Sequence, residues 1–235
     1  MLTGFDRLAL EVWDVQPALE FYRDALGIDC QRQIADRAVL DVGDGHTVVL
    51  QAPGPVPRGG LHVHYALATS PDQYEPWRDR LAPFDPSEHD FGSTRSVYAH
   101  DPDGHCLELA TVAENGHRLD GVFEAVLEVE ALAPAERFYR ELGFEVIDRG
   151  DDRRRIRLRG PIDLELWEPQ RGIADARGGV HCTLDFTADS LDAVRAAVSS
   201  RAAAARIEDE ILLIRDPDGH CLRVHPADGS LESER

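Results

Sequence analysis

The chain contains no lysine. All 25 of its basic residues are arginine, set against 44 Asp and Glu, for a formal net charge of −19. So acidic a chain repels nucleic acid and anionic membrane surfaces, which removes both as expected partners. Long apolar runs are also missing. No stretch reaches the length of a membrane span, and the N-terminus lacks a basic start followed by an apolar segment. Neither an anchor nor a signal peptide is therefore expected, and the expected location is the cytoplasm. Cysteine is sparse and scattered: Cys30, Cys106, Cys182 and Cys221 form no CxxC pair. Cys106 and Cys221 each precede a leucine, which reads as a buried thiol on a strand rather than a nucleophile.

What is present suits globular protein. At 235 residues with 43% hydrophobic content, the chain is long enough for two domains with their own cores. The excess of acid resembles the composition of proteins from salt-loving archaea, where surface charge maintains solubility, so a halophilic protein is expected.

The most informative feature is a repeat. Asp101-Pro102-Asp103-Gly104-His105-Cys106-Leu107 recurs as Asp216-Pro217-Asp218-Gly219-His220-Cys221-Leu222, 115 positions later (216 − 101). Seven identical residues in a row indicate a duplicated structure. The helical stretch Ala18-Leu19-Glu20-Phe21-Tyr22-Arg23 has its own echo in Ala135-Glu136-Arg137-Phe138-Tyr139-Arg140. Two domains follow, residues 1–115 and 118–235.

Each half divides again. Phe5–Val12 alternates like a strand, and Pro17 starts a helix with Ala18, Phe21, Tyr22 and Leu26 on its apolar face and Gly27 at its end. Short strands are expected at Ile28–Ile34, Ala38–Val42 and Thr47–Gln51, before a Pro/Gly linker from Ala52 to Gly60. The pattern restarts with a strand at His62–Ala68, a helix at Pro71–Leu81, and strands Ser96–His100 and Cys106–Ala110 joined by the Asp-Pro-Asp-Gly turn. Asp101 and Asp216 are expected to fix those turns, with His105 and His220 as capping or surface residues. Residues 122–169 and 180–225 repeat the two modules. Trp13, Trp77 and Trp167 read as core or rim packing.

This order of elements, the LEFYRDALG-type helix and the DPDGHCLEL hairpin resemble the vicinal oxygen chelate superfamily of glyoxalase I, bleomycin resistance proteins and extradiol dioxygenases. The resemblance covers nearly the whole chain. It implies an α+β fold of four βαβββ modules, paired into two curved-sheet clefts. It also implies metal ligands on the first and last strand of each module, at positions facing the cleft. In chain order those positions are Arg7 and Val49, His64 and Glu108, Glu124 and Glu165, His181 and Arg223, with His62 in reserve.

If the second module pairs with the third, one cleft presents His64, Glu108, Glu124 and Glu165. That set suits one divalent ion among Mn, Fe, Ni, Co and Zn. The other cleft then presents Arg7, Val49, His181 and Arg223, which suits an anion rather than a cation. If consecutive modules pair instead, each cleft mixes ligands with an arginine. The preferred reading is a metal-dependent lyase or isomerase of glyoxalase or epimerase type, with Glu124 or Glu165 as base and a small oxygenated molecule as substrate. An extradiol-type dioxygenase ranks below it, because neither pairing brings two histidines to the expected places. A metal-free small-molecule binding or resistance protein is the third class. Four modules in one chain allow a monomer or a homodimer.

Overall fold

The computed structural model describes residues 1–34, 36–53, 63–114, 116–150, 154–168 and 181–227. Four modules follow one another, each a strand, a helix and three strands. The first is β1 (Leu2–Glu11), α1 (Val15–Leu26), β2 (Cys30–Ile34), β3 (Arg37–Asp41) and β4 (Thr47–Gln51). The second is β5 (Val63–Thr69), α2 (Tyr74–Leu81), β6 (Ser87–Asp90), β7 (Arg95–His100) and β8 (Cys106–Thr111). The third is β9 (Val122–Glu128), α3 (Leu132–Glu141), β10 (Glu145–Arg149), β11 (Arg155–Arg159) and β12 (Asp163–Trp167). The fourth is β13 (His181–Ala188), α4 (Leu191–Val198), β14 (Ala204–Glu208), β15 (Ile211–Arg215) and β16 (Cys221–Pro226).

The modules combine crosswise into two curved eight-stranded sheets. The first sheet runs β14-β15-β16-β13-β1-β4-β3-β2, joining the fourth module to the first. The second runs β10-β11-β12-β9-β5-β8-β7-β6, joining the third to the second. At the centre of each, two module-opening strands pair antiparallel, β1 with β13 and β5 with β9. Each of these pairs parallel with the last strand of its own module.

Strand periodicity assigns the faces. Leu107 and Leu109 of β8, Leu164 and Leu166 of β12, and Leu8 and Leu10 of β1 enter one continuous core shared by both sheets. The residues between them point to the inner, curved face. Helix α1 starts at Val15, two residues before the expected Pro17. Asp14, in extended backbone, accepts a hydrogen bond from the Gln16 amide at 3.0 Å and caps the helix, so Pro17 falls inside the first turn, where no helical donor is needed. Gly27 ends the helix in the left-handed region, φ 62°. The expected helix at Pro71–Leu81 divides into a 3₁₀ turn, Pro71–Gln73, and α2. Strand β6 is required by the βαβββ pattern but had no residues assigned to it; Ser87-Glu88-His89-Asp90 is exposed throughout and carries no apolar signal.

The repeated hairpins do more than turn. Asp101 accepts from the amides of Asp103 and His105 and from the His105 ring, and Asp216 repeats all three contacts at its own turn. Each aspartate also accepts from a tyrosine on the preceding module: Tyr22 to Asp101 at 2.9 Å and Tyr139 to Asp216 at 2.8 Å. Alongside, Asp103 receives the Trp13 amide and Asp218 the Glu130 amide, both at 2.7 Å. These contacts tie the two sheets together. They also correct three expectations. His105 is fully buried rather than at the surface, because its ring completes the Asp101 contacts. Cys221 is only half-buried, unlike Cys106. Trp13 is 78% exposed, while Trp77 and Trp167 are buried as expected. Part of the Ala52–Gly60 linker and His62 lie outside the described residues. Among the described residues, no helix is long and apolar enough to cross a membrane.

Candidate functional site

The inner face of the second sheet brings together all four residues singled out as ligands. Strand register sets them in two adjacent rows. One row runs Glu108 (β8), Ala66 (β5), Glu124 (β9), Asp163 (β12). The next runs Cys106, His64, Val126, Glu165 on the same strands. His64, Glu108, Glu124 and Glu165 are all buried.

Each has a partner. His64 Nε2 and Glu108 Oε2 lie 2.8 Å apart. Glu124 is ion-paired with Arg157, which also reaches Asp163 at 3.2 Å. Glu165 accepts from Arg155 Nη1 at 3.1 Å and from the Trp167 indole at 2.8 Å. The ring of Tyr98 packs edge-on to His64 at 5.7 Å, and that of Trp167 at 6.0 Å.

Crowding of like charge shows in the acidities. Burial, then the neighbouring charge of Glu165, pushes Glu124 up to about 8, and Arg157 offsets only part of this. Burial also acts to raise Glu108. The His64 ring, with smaller help from Ser96 and Tyr98, outweighs it and holds Glu108 below its ordinary value. Burial, with Glu108 next, drives the Tyr98 phenol well upward.

Residues 4–109 match a family model described as the Glyoxalase/Bleomycin resistance protein/Dioxygenase superfamily. Over those residues the chain is similar to that superfamily. It is 29% identical over 119 residues to a metallothiol transferase FosB of Staphylococcus haemolyticus, a match spanning 47% of this chain and 85% of the relative. The fold is shared with glyoxalase I from Zea mays at a TM-score of 0.69 and 18% identity, over 94% of this chain and 91% of that one. It is also shared with a protein of Bacillus subtilis subsp. subtilis str. 168 provisionally named a dioxygenase, at 0.72 and 16%, over 100% of this chain and 88% of that one.

The four donors are three carboxylates and one imidazole, a set of the kind that suits a divalent ion. Burial and the charge of Glu165 together lift Glu124, and a nearby cation would offset both. In chemistry the residues present fit a metal. In their current arrangement, no three His, Cys, Asp or Glu side chains close around one point among the described residues, because guanidinium groups and the His64 ring already hold the carboxylates.

The first sheet shows what the same positions become without such donors. By register, Arg7 takes the place of Glu124, Val49 that of Glu165 and Arg223 that of Glu108. The place of His64 belongs to Thr183, not to the expected His181, which lies two residues earlier, opposite Glu11, and whose side chain is outside the described residues. The expectation of two arginines awaiting an anion is also corrected. Asp185, at the position matching Ala66, lies between them. It accepts from Arg223 at 2.9 and 2.5 Å and sits 3.7 Å from Arg7. Burial acts to raise Asp185, but His225 and the two arginines outweigh it and hold its carboxyl below the ordinary range. Asp185 was missed, though the alternation Thr183-Leu184-Asp185-Phe186 marks it as inward-facing. Arg155 and Arg157 were missed as well; Arg155-Ile156-Arg157-Leu158-Arg159 alternates in the same way.

Proposed function

We propose that the inner face of the second sheet is the catalytic cleft of a divalent-metal-dependent lyase or isomerase of glyoxalase or epimerase type, acting on a small oxygenated molecule. The observation that carries the reading is segregation. His64, Glu108, Glu124 and Glu165 lie on one sheet, and the matching positions of the other hold Thr183, Arg223, Arg7 and Val49. His64, Glu108, Glu124 and Glu165 would hold one ion among Mn, Fe, Ni, Co and Zn. The name metallothiol transferase on the staphylococcal relative supports a metal in this cleft.

When bound, a divalent ion supplies electrophilic stabilisation of oxygen charge that develops as a neighbouring carbon loses a proton. The protein's own residues do the rest. Glu124, or Glu165 through Oε1, takes that proton. Trp167 fixes the other oxygen of Glu165, and Arg155 and Arg157 orient the two carboxylates. Burial of His64, Glu108, Glu124 and Glu165 limits the access of water to the step.

One observation favours a second reading, a metal-free binding protein: each of the three carboxylates already has a partner within the protein. Metal content separates the two. Plasma mass spectrometry of protein purified without added metal or chelator should find about one equivalent per chain, lost in a folded Glu108→Ala variant. Absence of metal, with none taken up on titration with Mn²⁺, Ni²⁺, Co²⁺ and Zn²⁺, overturns the enzyme reading in favour of the binding protein.

A further inference from the structure

Strand β9 places Glu124, Val126 and Glu128 on the inner face of the second sheet. The chemistry proposed above uses Glu124 and leaves Glu128 without a task. Glu128 stands one row beyond the row of His64, Val126 and Glu165, about 7 Å along the strand. It lies directly beside Trp167 of β12. Its counterpart in the first sheet is Glu11, which lines a cavity of about 630 Å³ on that sheet's inner face. The shared register aims Glu128 into the corresponding space of the second sheet. Glu128 is 1% exposed, and neither of its carboxylate oxygens has a hydrogen-bond partner among the described residues.

The neighbouring donors are engaged elsewhere. The Trp167 indole N–H goes to Glu165 at 2.8 Å. Arg155, next along the same row, reaches Glu165 at 3.1 Å and Asp148 at 2.8 Å. His220 lies within the electrostatic reach of Glu128, but its Nδ1 is held by Asp216 at 2.9 Å, so it acts on Glu128 through space alone. Glu11, by contrast, has a partner within the protein. A carboxylate hidden from water and given no donor is costly to keep unless something outside the fold supplies one.

We infer that Glu128 binds a protonated amine on the substrate, which makes the substrate class a small amino alcohol or other hydroxylated amine. Its oxygens face His64, Glu108, Glu124 and Glu165, and its ammonium group, a few bonds away, meets Glu128. An ammonium brings N–H donors and a full charge, and such charge-assisted bonds to a carboxylate are about twice as strong as neutral ones. The indole of Trp167 alongside is an aromatic wall of the kind that suits a desolvated cation. The net charge of −19 draws cations toward the chain. The inference rests on the substrate occupying the second-sheet cleft, as proposed above, and not on the ion.

The test compares 3-aminopropane-1,2-diol with glycerol, which has a hydroxyl in place of the amine. Each is titrated into the full chain and followed by ligand-observed NMR, in salt sufficient to screen the surface charge. The aminodiol should bind about tenfold more tightly than glycerol, and Glu128→Gln should bring the two within about twofold. The urea midpoint of Glu128→Gln should be unchanged or higher, because the substitution removes a charge that nothing in the protein pairs. No saturable binding of the aminodiol in the millimolar range, no preference over glycerol, or a preference that survives Glu128→Gln overturns the inference. So does a clear loss of stability or of folding in Glu128→Gln, which would mean that the protein itself holds the carboxylate. Metal content is read on the same samples. Metal present without the amine preference overturns this inference and leaves the metal-dependent reading standing. A preference that depends on Glu128 in a metal-free chain does the reverse.

Discussion

Asp185 and Arg223 face each other across the β13–β16 ladder and are joined by two hydrogen bonds, at the register positions that Ala66 and Glu108 fill in the other sheet. One duplicated frame thus carries a carboxylate cluster on one inner face and an internal Arg–Asp–Arg contact on the other. Asp185→Ala removes the carboxylate held between Arg7 and Arg223. Because Arg7 is 3% exposed and unable to reach water, the loss should be about 3 kcal/mol, read from urea unfolding. A change under about 1 kcal/mol would show that the arginines find other compensation.

The two tyrosine–aspartate contacts are not equal. Tyr22 donates to Asp101 and also accepts from Tyr65 at 2.9 Å, whereas the place of Tyr65 in the other copy belongs to Leu184. Tyr22→Phe strands the Tyr65 hydroxyl as well as weakening Asp101, so it should cost about 2 kcal/mol. Tyr139→Phe should cost about 1 kcal/mol. Equal losses in thermal or denaturant unfolding would refute the difference.

Stability should depend on pH through the Asp216–His220 pair. Burial acts to raise Asp216, but the His220 charge and hydrogen bonds outweigh it and place its folded value below 3.8. Burial acts to lower His220, but Asp216 outweighs it and places its folded value above 6.5. The aspartate's contribution is present above 3.8 and lost as pH falls through its lower folded value. The histidine's is present below 6.5 and lost as pH rises through its higher one. Both are in force between 3.8 and 6.5. His220→Gln should flatten the decline of stability above 6.5, and an unchanged profile would remove the pair from the account.

Arg157 competes with any cation for Glu124 and Asp163. Arg157→Gln removes a positive charge from the cleft and should tighten Mn²⁺ binding by about tenfold, measured by competition with a chelating dye. Weaker binding would mean that Arg157 helps to shape the site instead.

Much of this was legible in the chain. The repeated heptapeptide marked the duplication, and alternation about Glu108 and Glu165 set both carboxylates opposite buried leucines. Pairing of distant modules lies in strand edges, which no local pattern encodes; there the grouping of donors was a sound guide. The misplacement of His181 has a definite cause. The chain between strand and helix is longer in the second module, where the 3₁₀-turn residues Pro71–Gln73 precede α2, than in the fourth, where α4 follows β13 directly after Asp189 and Ser190, so equivalent positions on β5 and β13 lie at different distances from their helices. Asp185 stayed hidden because its counterpart is Ala66, so comparing one copy with the other offered no signal there. Trp13 looked like packing material, but only its backbone amide is used, to hold Asp103.

The crossed pairing of modules has a consequence for the chain's integrity. Cut between residues 115 and 122, each fragment would hold one half of each sheet and leave two long central strands, β1 and β5 or β9 and β13, with bare edges. Such edges drive strand-to-strand aggregation unless another chain covers them. The two pieces are each other's cover, so they should be insoluble apart and reassemble when produced together. The covalent link between them therefore acts as a chaperone in cis, keeping the complementary edge at high local concentration from the moment the second half emerges.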